Sequence, residues 1–212
     1  MSSLNPDKAL IFRIVHVDNL PWMLEHGLQC RNSSLSNPNY VPIGKEEIIA
    51  SRKERQVPIP PSGGYGDYVP FYFTPYSIMM YNIKTGYGVQ KRRNDEILIC
   101  VTSLYDLYDQ GRKFVFTNQH ACSEGLEFSS DLAELETLVD WRLLRSKDFK
   151  RDTEDPGKPL RYQAEAMIHG DIPLDSLRGI VCYSDVVLNK IRAVVSPRHP
   201  KLNLKALPAW YF

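Results

Sequence analysis

The chain has 212 residues, 43% of them apolar and 24% charged, and a formal net charge of +1. This is the balance of a globular chain long enough for one domain with its own core, and it excludes a global field that would drive the protein onto nucleic acid or membrane. Cys30, Cys100, Cys122 and Cys182 are too scattered for a zinc or redox pair and read as reduced thiols of a cytoplasmic protein; no apolar run approaches the roughly 20 residues of a membrane span, and Met1–Leu10 lacks the build of a signal peptide.

In chain order, Ala9–Val17 is rich in β-branched residues and predicts a strand. Asp18 and Asn19 cap a short helix, Leu20–His26, with Pro21 in its first turn and Gly27 as its stop. Asn32–Gly44 is Ser/Asn/Pro-rich and reads as a loop. Glu46–Arg55 reads as a helix with a basic end, and Pro58–Gly66 holds too many breakers for regular structure. Tyr68–Phe73 is a short aromatic run of the kind that forms a buried strand, stopped by Thr74-Pro75. Ser77 then opens a helical turn through Tyr81. This strand, turn and helix is either plain core or an aromatic wall on which a flat polar ring can lie. Glu96–Thr102 predicts a strand, Ser103–Tyr108 a helix ended by Gly111, Phe114–Thr117 a strand and Asn118–Cys122 a loop. Leu132–Leu144 looks helical, and Arg145–Leu160 is charged and irregular, a kind of segment that is often functional. Tyr162–His169 is a short apolar segment, Leu177–Tyr183 a strand and Ser184–Val194 a helix. Strands and helices mix without a βα period, which favours a single α+β domain over a doubly wound sheet.

A few residues stand out chemically. Glu165 is a carboxylate among apolar neighbours, so it is either ion-paired with an arginine or catalytic. His16, inside an apolar strand, is either a hydrogen-bonded core histidine or functional, and His120 lies in a polar loop. Arg142, Arg145, Lys147, Lys150 and Arg151 form the densest positive cluster, either a solvated face or a phosphate contact. There is no P-loop, GxGxxG or nucleophile elbow, which argues against an ordinary Rossmann enzyme or α/β hydrolase.

Several separate segments carry a resemblance. Phe12-Arg-Ile-Val-His-Val-Asp-Asn-Leu-Pro21 with His26-Gly-Leu28, then Ile43-Gly44 with Ile48 and Arg52, then Asp67-Tyr-Val-Pro-Phe-Tyr-Phe73 with Pro75, Ser77 and Met79, are followed by Phe116-Thr-Asn-Gln-His-Ala121. Asp140-Trp141, Asp152-Thr-Glu-Asp-Pro156 and Arg161-Tyr-Gln-Ala-Glu165 complete the series. In this order they resemble the DarT family, bacterial DNA ADP-ribosyltransferase toxins. Tyr76, Ser51 and Asn118-Gln119 depart from the family's usual residues.

The resemblance implies an ADP-ribosyltransferase (PARP-like) fold, with a split mixed sheet of six or seven strands and an NAD cleft, in one domain over 1–212. It implies an NAD-binding loop at about 36–56 and a loop leading to the catalytic glutamate at about 117–165. The implied reaction moves ADP-ribose from NAD+ to a base in single-stranded DNA, releasing nicotinamide and blocking replication, with no metal. Thymidine is the expected base; guanosine, a tRNA or a protein is the alternative target, and an inert binding module the alternative class. Glu165 and Arg52 are then the catalytic residues. His16, Val17, Asp18, Asn19, Gly27, Ile43, Arg52, Tyr72, Ser77, Met80 and Tyr81 would hold NAD+, and His120, Arg142, Arg145, Lys147, Lys150 and Arg151 the DNA. The partners implied are single-stranded DNA and a macrodomain antitoxin resembling DarG, with no membrane; the protein is expected to be a cytoplasmic monomer.

Overall fold

The computed structural model describes residues 4–52 and 55–212. The strands are β1 Leu10–His16, β2 Tyr68–Tyr72, β3 Ile97–Ser103, β4 Phe114–Thr117, β5 Phe128–Ser129, β6 Glu165–His169, β7 Gly179–Cys182 and β8 Asn203–Ala206. The helices are α1 Leu20–His26, α2 Glu46–Ser51, α3 Ile78–Thr85, α4 Leu104–Asp109, α5 Leu135–Leu138, α6 Trp141–Ser146, α7 Lys158–Arg161 and α8 Asp185–Val195. Among the described residues eight strands form one sheet, in the order β5-β4-β6-β2-β1-β3-β7-β8. Every pairing is antiparallel except β7 with β8.

The mixed α+β architecture agrees with the sequence, but the sheet has eight strands, not six or seven. The two unforeseen strands are β5, only two residues long, and β8, whose exposed and half-buried residues alternate at the sheet edge. Neither carries the β-branched run that marks β3, which is buried throughout. The predicted helix over 132–144 is broken: a 3-10 turn and α5 end at Val139, which is extended. Asp140 then starts α6 afresh, its carboxylate accepting from the Leu143 amide at 2.9 Å. The basic helix ends at Ser51; Arg52 closes it, and Lys53 and Glu54 of the expected basic end lie outside the described residues, as do Met1–Ser3. Ser77 and Ser103 cap α3 and α4 as their positions suggest, and Ser184 caps α8 in the same way, each accepting from a backbone amide.

One seam positions the cleft. β1 pairs β3 over seven residues, and β2 pairs β6 over five. Between β1 and β2 the ladder is a single pair, Phe12 opposite Tyr72. The sheet therefore opens there. Pro70, which has no N–H to give a ladder, is tolerated inside β2 beside this open seam. Its carbonyl accepts from Arg13 Nη1 at 2.9 Å, a side-chain bridge where backbone pairing has stopped.

Candidate active site

Glu165 starts β6 directly opposite Tyr72 of β2, so the sheet register alone brings carboxylate and aromatic ring to one side of the seam. The glutamate is 1% exposed. Its Oε1 accepts from Arg52 Nη1 at 3.2 Å and its Oε2 from Arg52 Nη2 at 2.9 Å. The Ala121 amide also donates to Oε1, at 3.3 Å. The backbone is pinned as well: Glu165 N–H donates to Thr117 Oγ1 at 3.1 Å. Arg52 comes from the far end of α2 and lies over the Tyr65 ring, 5.5 Å from its centre; the Tyr65 hydroxyl donates to the Ala121 carbonyl at 2.9 Å. Cation, ring, loop and carboxylate thus form a closed circuit, and a fork-to-fork pair of this kind fixes orientation as well as charge.

Burial by itself would push the Glu165 carboxyl up, but the Arg52 guanidinium, His120 and the hydrogen bonds it accepts hold it below its ordinary value. Arg52 is subject to the opposite pull, and against the lowering effect of burial Glu165 drives its pKa up further. The carboxylate and the guanidinium are both charged at any physiological pH. Burial, with Arg52 and Arg55 nearby, keeps His120 below the usual imidazole range despite Glu165. Its Nδ1 accepts from the Cys122 amide at 3.2 Å, which leaves the proton on Nε2, 3.9 Å from Glu165 Oε1.

Two cavities meet around this pair. The larger, about 1220 Å³, is lined by Glu165, His120, Arg52, Tyr72, Ile43 and Tyr81, with Lys147, Lys150 and Arg151 on one wall. The smaller, about 760 Å³, is lined by Asn19, Gly27, Leu28, Trp22 and Arg31. Arg13, Tyr40, Pro42, Arg52 and Pro70 line both, so the two are halves of one cleft crossing the seam. Arg13 stands at the crossing with its Nε buried and, among the described residues, without a partner. An orphaned guanidinium nitrogen at the middle of a long cleft suits an anion held between two larger groups. Gly27 (φ +75°) is required where the chain passes the Ile172 carbonyl: a Cβ there would lie 2.2 Å from that oxygen.

The sequence-predicted residues divide clearly. Glu165, Arg52, Tyr72, Ile43, Tyr81, His120, Lys147, Lys150 and Arg151 come together in the larger cavity, and Asn19 and Gly27 in the smaller. Both amide groups of Asn19 are taken by the Val41 backbone, at 2.8 and 2.9 Å, so it holds the 36–56 loop down. His16, Val17, Asp18, Ser77 and Met80 line neither cavity. His16 is buried beneath the β1 terminus, its Nδ1 accepting from the Asp18 amide and its Nε2 4.0 Å from Glu96. Ser77 gives its oxygen to the Met80 amide as the α3 cap. Met80 faces the core, and its helix neighbours Ile78 and Met79 face the cavity instead. Arg145 donates to the Leu4 carbonyl at 3.0 Å, and Arg142 lies outside the lining too.

Lining residues not singled out from the sequence include Arg13, Phe149 and Phe212, with Tyr40 and Lys45 from within the expected 36–56 loop. Arg13 carried a usable signal, a charge between Phe12 and Ile14 in an apolar strand, the same oddity that marks Glu165. Phe212 carried none. Among the described residues no group of His, Cys, Asp or Glu could hold a metal ion, and no helix is long and apolar enough to cross a membrane.

The chain is similar to known proteins. Residues 12–212 match a family model described as ssDNA thymidine ADP-ribosyltransferase, DarT. A DNA ADP-ribosyl transferase of Escherichia coli O127:H6 is 43% identical, covering 100% of this chain and 97% of that protein. The structure of Thermus sp. 2.9 DarT in complex with ADP-ribosylated ssDNA superposes with a TM-score of 0.88 at 29% identity, covering 98% of each chain. Thermus sp. 2.9 DarT in complex with NAD+ gives 0.83 at 29% identity, over 98% of this chain and 99% of that one.

Proposed function

The chain belongs to the DarT family of ssDNA thymidine ADP-ribosyltransferases, and from that premise we propose how its own residues transfer ADP-ribose from NAD+ to thymidine N3. Each half of NAD+ takes one half of the cleft, and its pyrophosphate meets Arg13 and Arg52 at the crossing. The nicotinamide ring lies against Tyr72. Glu165 then accepts a hydrogen bond from the 2′-hydroxyl of the nicotinamide ribose. Oε1 already accepts twice, from Arg52 and Ala121, whereas among the described residues Oε2 accepts only from Arg52. The open lone pair on Oε2 is therefore where the hydroxyl docks, without the ion pair having to break.

The bond from ribose C1′ to nicotinamide breaks with its electron pair leaving on nicotinamide, and positive charge builds on the ribose, as in glycoside hydrolysis. A fixed, buried carboxylate stabilises that charge more in the transition state than in the ground state. Thymine N3 forms the new bond to C1′ and gives up its proton to solvent. Because N3 lies on the pairing edge, the acceptor base is unpaired or flipped. Arg52 is permanently charged, so it takes no proton; beside the base it stabilises the N3 anion. His120, with its proton on Nε2, can donate to a base carbonyl. Lys147, Lys150 and Arg151 meet phosphates of the strand.

The observation that carries this reading is the doubly hydrogen-bonded Arg52–Glu165 pair buried where the sheet opens. The test uses labelled NAD+, single-stranded oligonucleotides differing at one base, and mass spectrometry of the product. Label confined to thymidine is expected, with Glu165→Gln lowering transfer by about 10²-fold or more. Label on guanosine or on protein would overturn the thymidine assignment, and unchanged transfer by the variant would overturn the role of Glu165. The same reading extends to a cytoplasmic toxin, active as a monomer, that blocks replication and is restrained by a DarG-like macrodomain antitoxin.

A further inference from the structure

Exposed apolar side chains are concentrated on the cleft. Tyr40, Ile48, Tyr81, Tyr87, Leu160 and Phe212 are large, exposed and all line the larger cavity. Such clustering marks a binding surface. Within it, three rings from distant parts of the chain meet at the mouth. Tyr81 and Phe212 have ring centres 5.5 Å apart at 79°, Tyr81 and Phe149 5.6 Å apart at 61°, and Phe149 and Phe212 5.9 Å apart at 86°. Each ring braces the next by its edge. Tyr81 and Phe212 still keep 41% and 36% of their surface exposed, whereas Glu165 on the cavity floor keeps 1%.

The rings are fixed in advance. Phe149 packs on the buried Tyr162 ring at 5.2 Å. Phe212 is held through its backbone, the carbonyl accepting from Asn94 Nδ2 at 2.9 Å. The two residues before it are anchored as well: Trp210 packs edge-on against Phe12 at 5.3 Å, and the one Tyr211 hydroxyl proton is shared between the Ile97 and Val181 carbonyls, 3.0 and 3.1 Å away. On the same wall Lys147, held in the left-handed region at φ +57°, places its ammonium 3.6 Å from the centre of the Tyr76 ring, next to Lys150 and Arg151. Pre-set aromatic rings flanked by cations are how proteins hold an unpaired base together with its phosphate.

Resting on the reading of the acceptor as single-stranded DNA, we propose that Tyr81, Phe149 and Phe212 form a stacking platform for the base of a nucleotide next to the modified thymidine. Lys147, Lys150 and Arg151 contact the phosphates between the two. This moves Tyr81 from the nicotinamide, which lies deeper against Tyr72, to the DNA strand. The platform fixes how the strand enters, and so which unpaired thymidine reaches Glu165.

The test pairs a change in the protein with a change in the DNA. Phe212→Leu, which keeps packing volume but not the aromatic face, is measured on an oligonucleotide carrying one thymidine and on copies with an abasic site at each flanking position. Phe212→Leu is expected to lower kcat/KM about tenfold on the intact strand. One abasic position is expected to lower the wild-type rate by a similar factor, and the two changes together no further. Phe149→Leu should show the same loss at the same position, and Phe212→Trp should restore the rate. Losses that multiply, or a Phe212→Leu loss equal on every strand, would overturn the platform while leaving thymidine transfer by the wild-type protein intact. Failure of the wild-type protein to label the intact strand would instead overturn the acceptor reading, and the platform with it.

Discussion

Arg52 shows how a single side chain can be tied to chemistry by geometry rather than by type. On α2 it would pass for a solvated residue, since basic helix ends usually are. Its fork instead matches both oxygens of Glu165, and its plane covers Tyr65. A lysine would supply charge at one point and lose the second hydrogen bond. Arg52→Lys is therefore expected to lower transfer by about 10²-fold, the usual size of losing one pre-organised donor, with a weaker KM for NAD+ in steady-state kinetics. Full activity in that variant would show that charge alone suffices. Glu165 was legible in the sequence because a carboxylate between apolar residues is costly without a partner, but the identity of its partner was not, since 113 positions separate the two. Arg13 offered the same kind of signal. Phe212 offered none, because an exposed aromatic becomes meaningful only beside Tyr81 and Phe149.

At the scale of elements, strand patterns and serine caps were readable, but Asn19 gives its side chain to Val41 instead of capping α1, and interruptions were not legible. Ser77, Ser103 and Ser184 cap the helices their positions imply. The stretch 132–144 misled because its apolar spacing continues through Val139 and Asp140, and only the tertiary placement of Trp141, whose Nε1 donates to the Leu135 carbonyl at 2.7 Å, turns the chain there. The charged segment that follows is ordered by ion pairs: Arg161 grips Asp155 through two hydrogen bonds of 3.0 and 2.6 Å, and Lys158 reaches Asp148 at 3.0 Å and Asp152 at 3.3 Å. Local pattern cannot reveal such pairing. Ser184 tests the cap argument away from the cleft. Its hydroxyl accepts from the Val187 amide at 3.4 Å and donates to Asp95 at 2.6 Å. Ser184→Ala is expected to cost about 1–2 kcal/mol, a fall in Tm of a few degrees at roughly 2–4 °C per kcal/mol. Calorimetry reads it directly, and transfer at 25 °C should not change.

Across the whole molecule, protonation pulls stability in opposite directions. His16 and His120 are held below the ordinary imidazole value, first of all by burial. The folded state binds their protons less readily than the unfolded one, so their stabilisation is complete above pH about 6.5 and is lost as pH falls through the folded values. Glu165 acts in the same sense at lower pH, below the carboxylate range. His199 acts oppositely. Its Nδ1 meets Asp175 at 2.8 Å and its Nε2 the Leu24 carbonyl at 3.0 Å, contacts that want both nitrogens protonated, and its pKa is raised, chiefly by Asp175. Its contribution is present below pH about 6.5 and lost as pH rises through the folded value. Tm against pH is expected to steepen on the acid side in His199→Gln and to flatten there in His120→Gln; parallel curves for both variants and the wild type would contradict these assignments.

The one-pair join between β1 and β2 makes the sheet two plates sharing a hinge. Each plate is laced by its own ladders, so it is stiff. Across the join the backbone contributes one ladder pair, and the Arg13 side chain adds its hydrogen bond to the Pro70 carbonyl. Of all the strand junctions in the sheet this one has the fewest ladder pairs, and it is also the one a dinucleotide and a strand must pass. A change in cleft width there disturbs fewer backbone hydrogen bonds than it would anywhere else in the sheet.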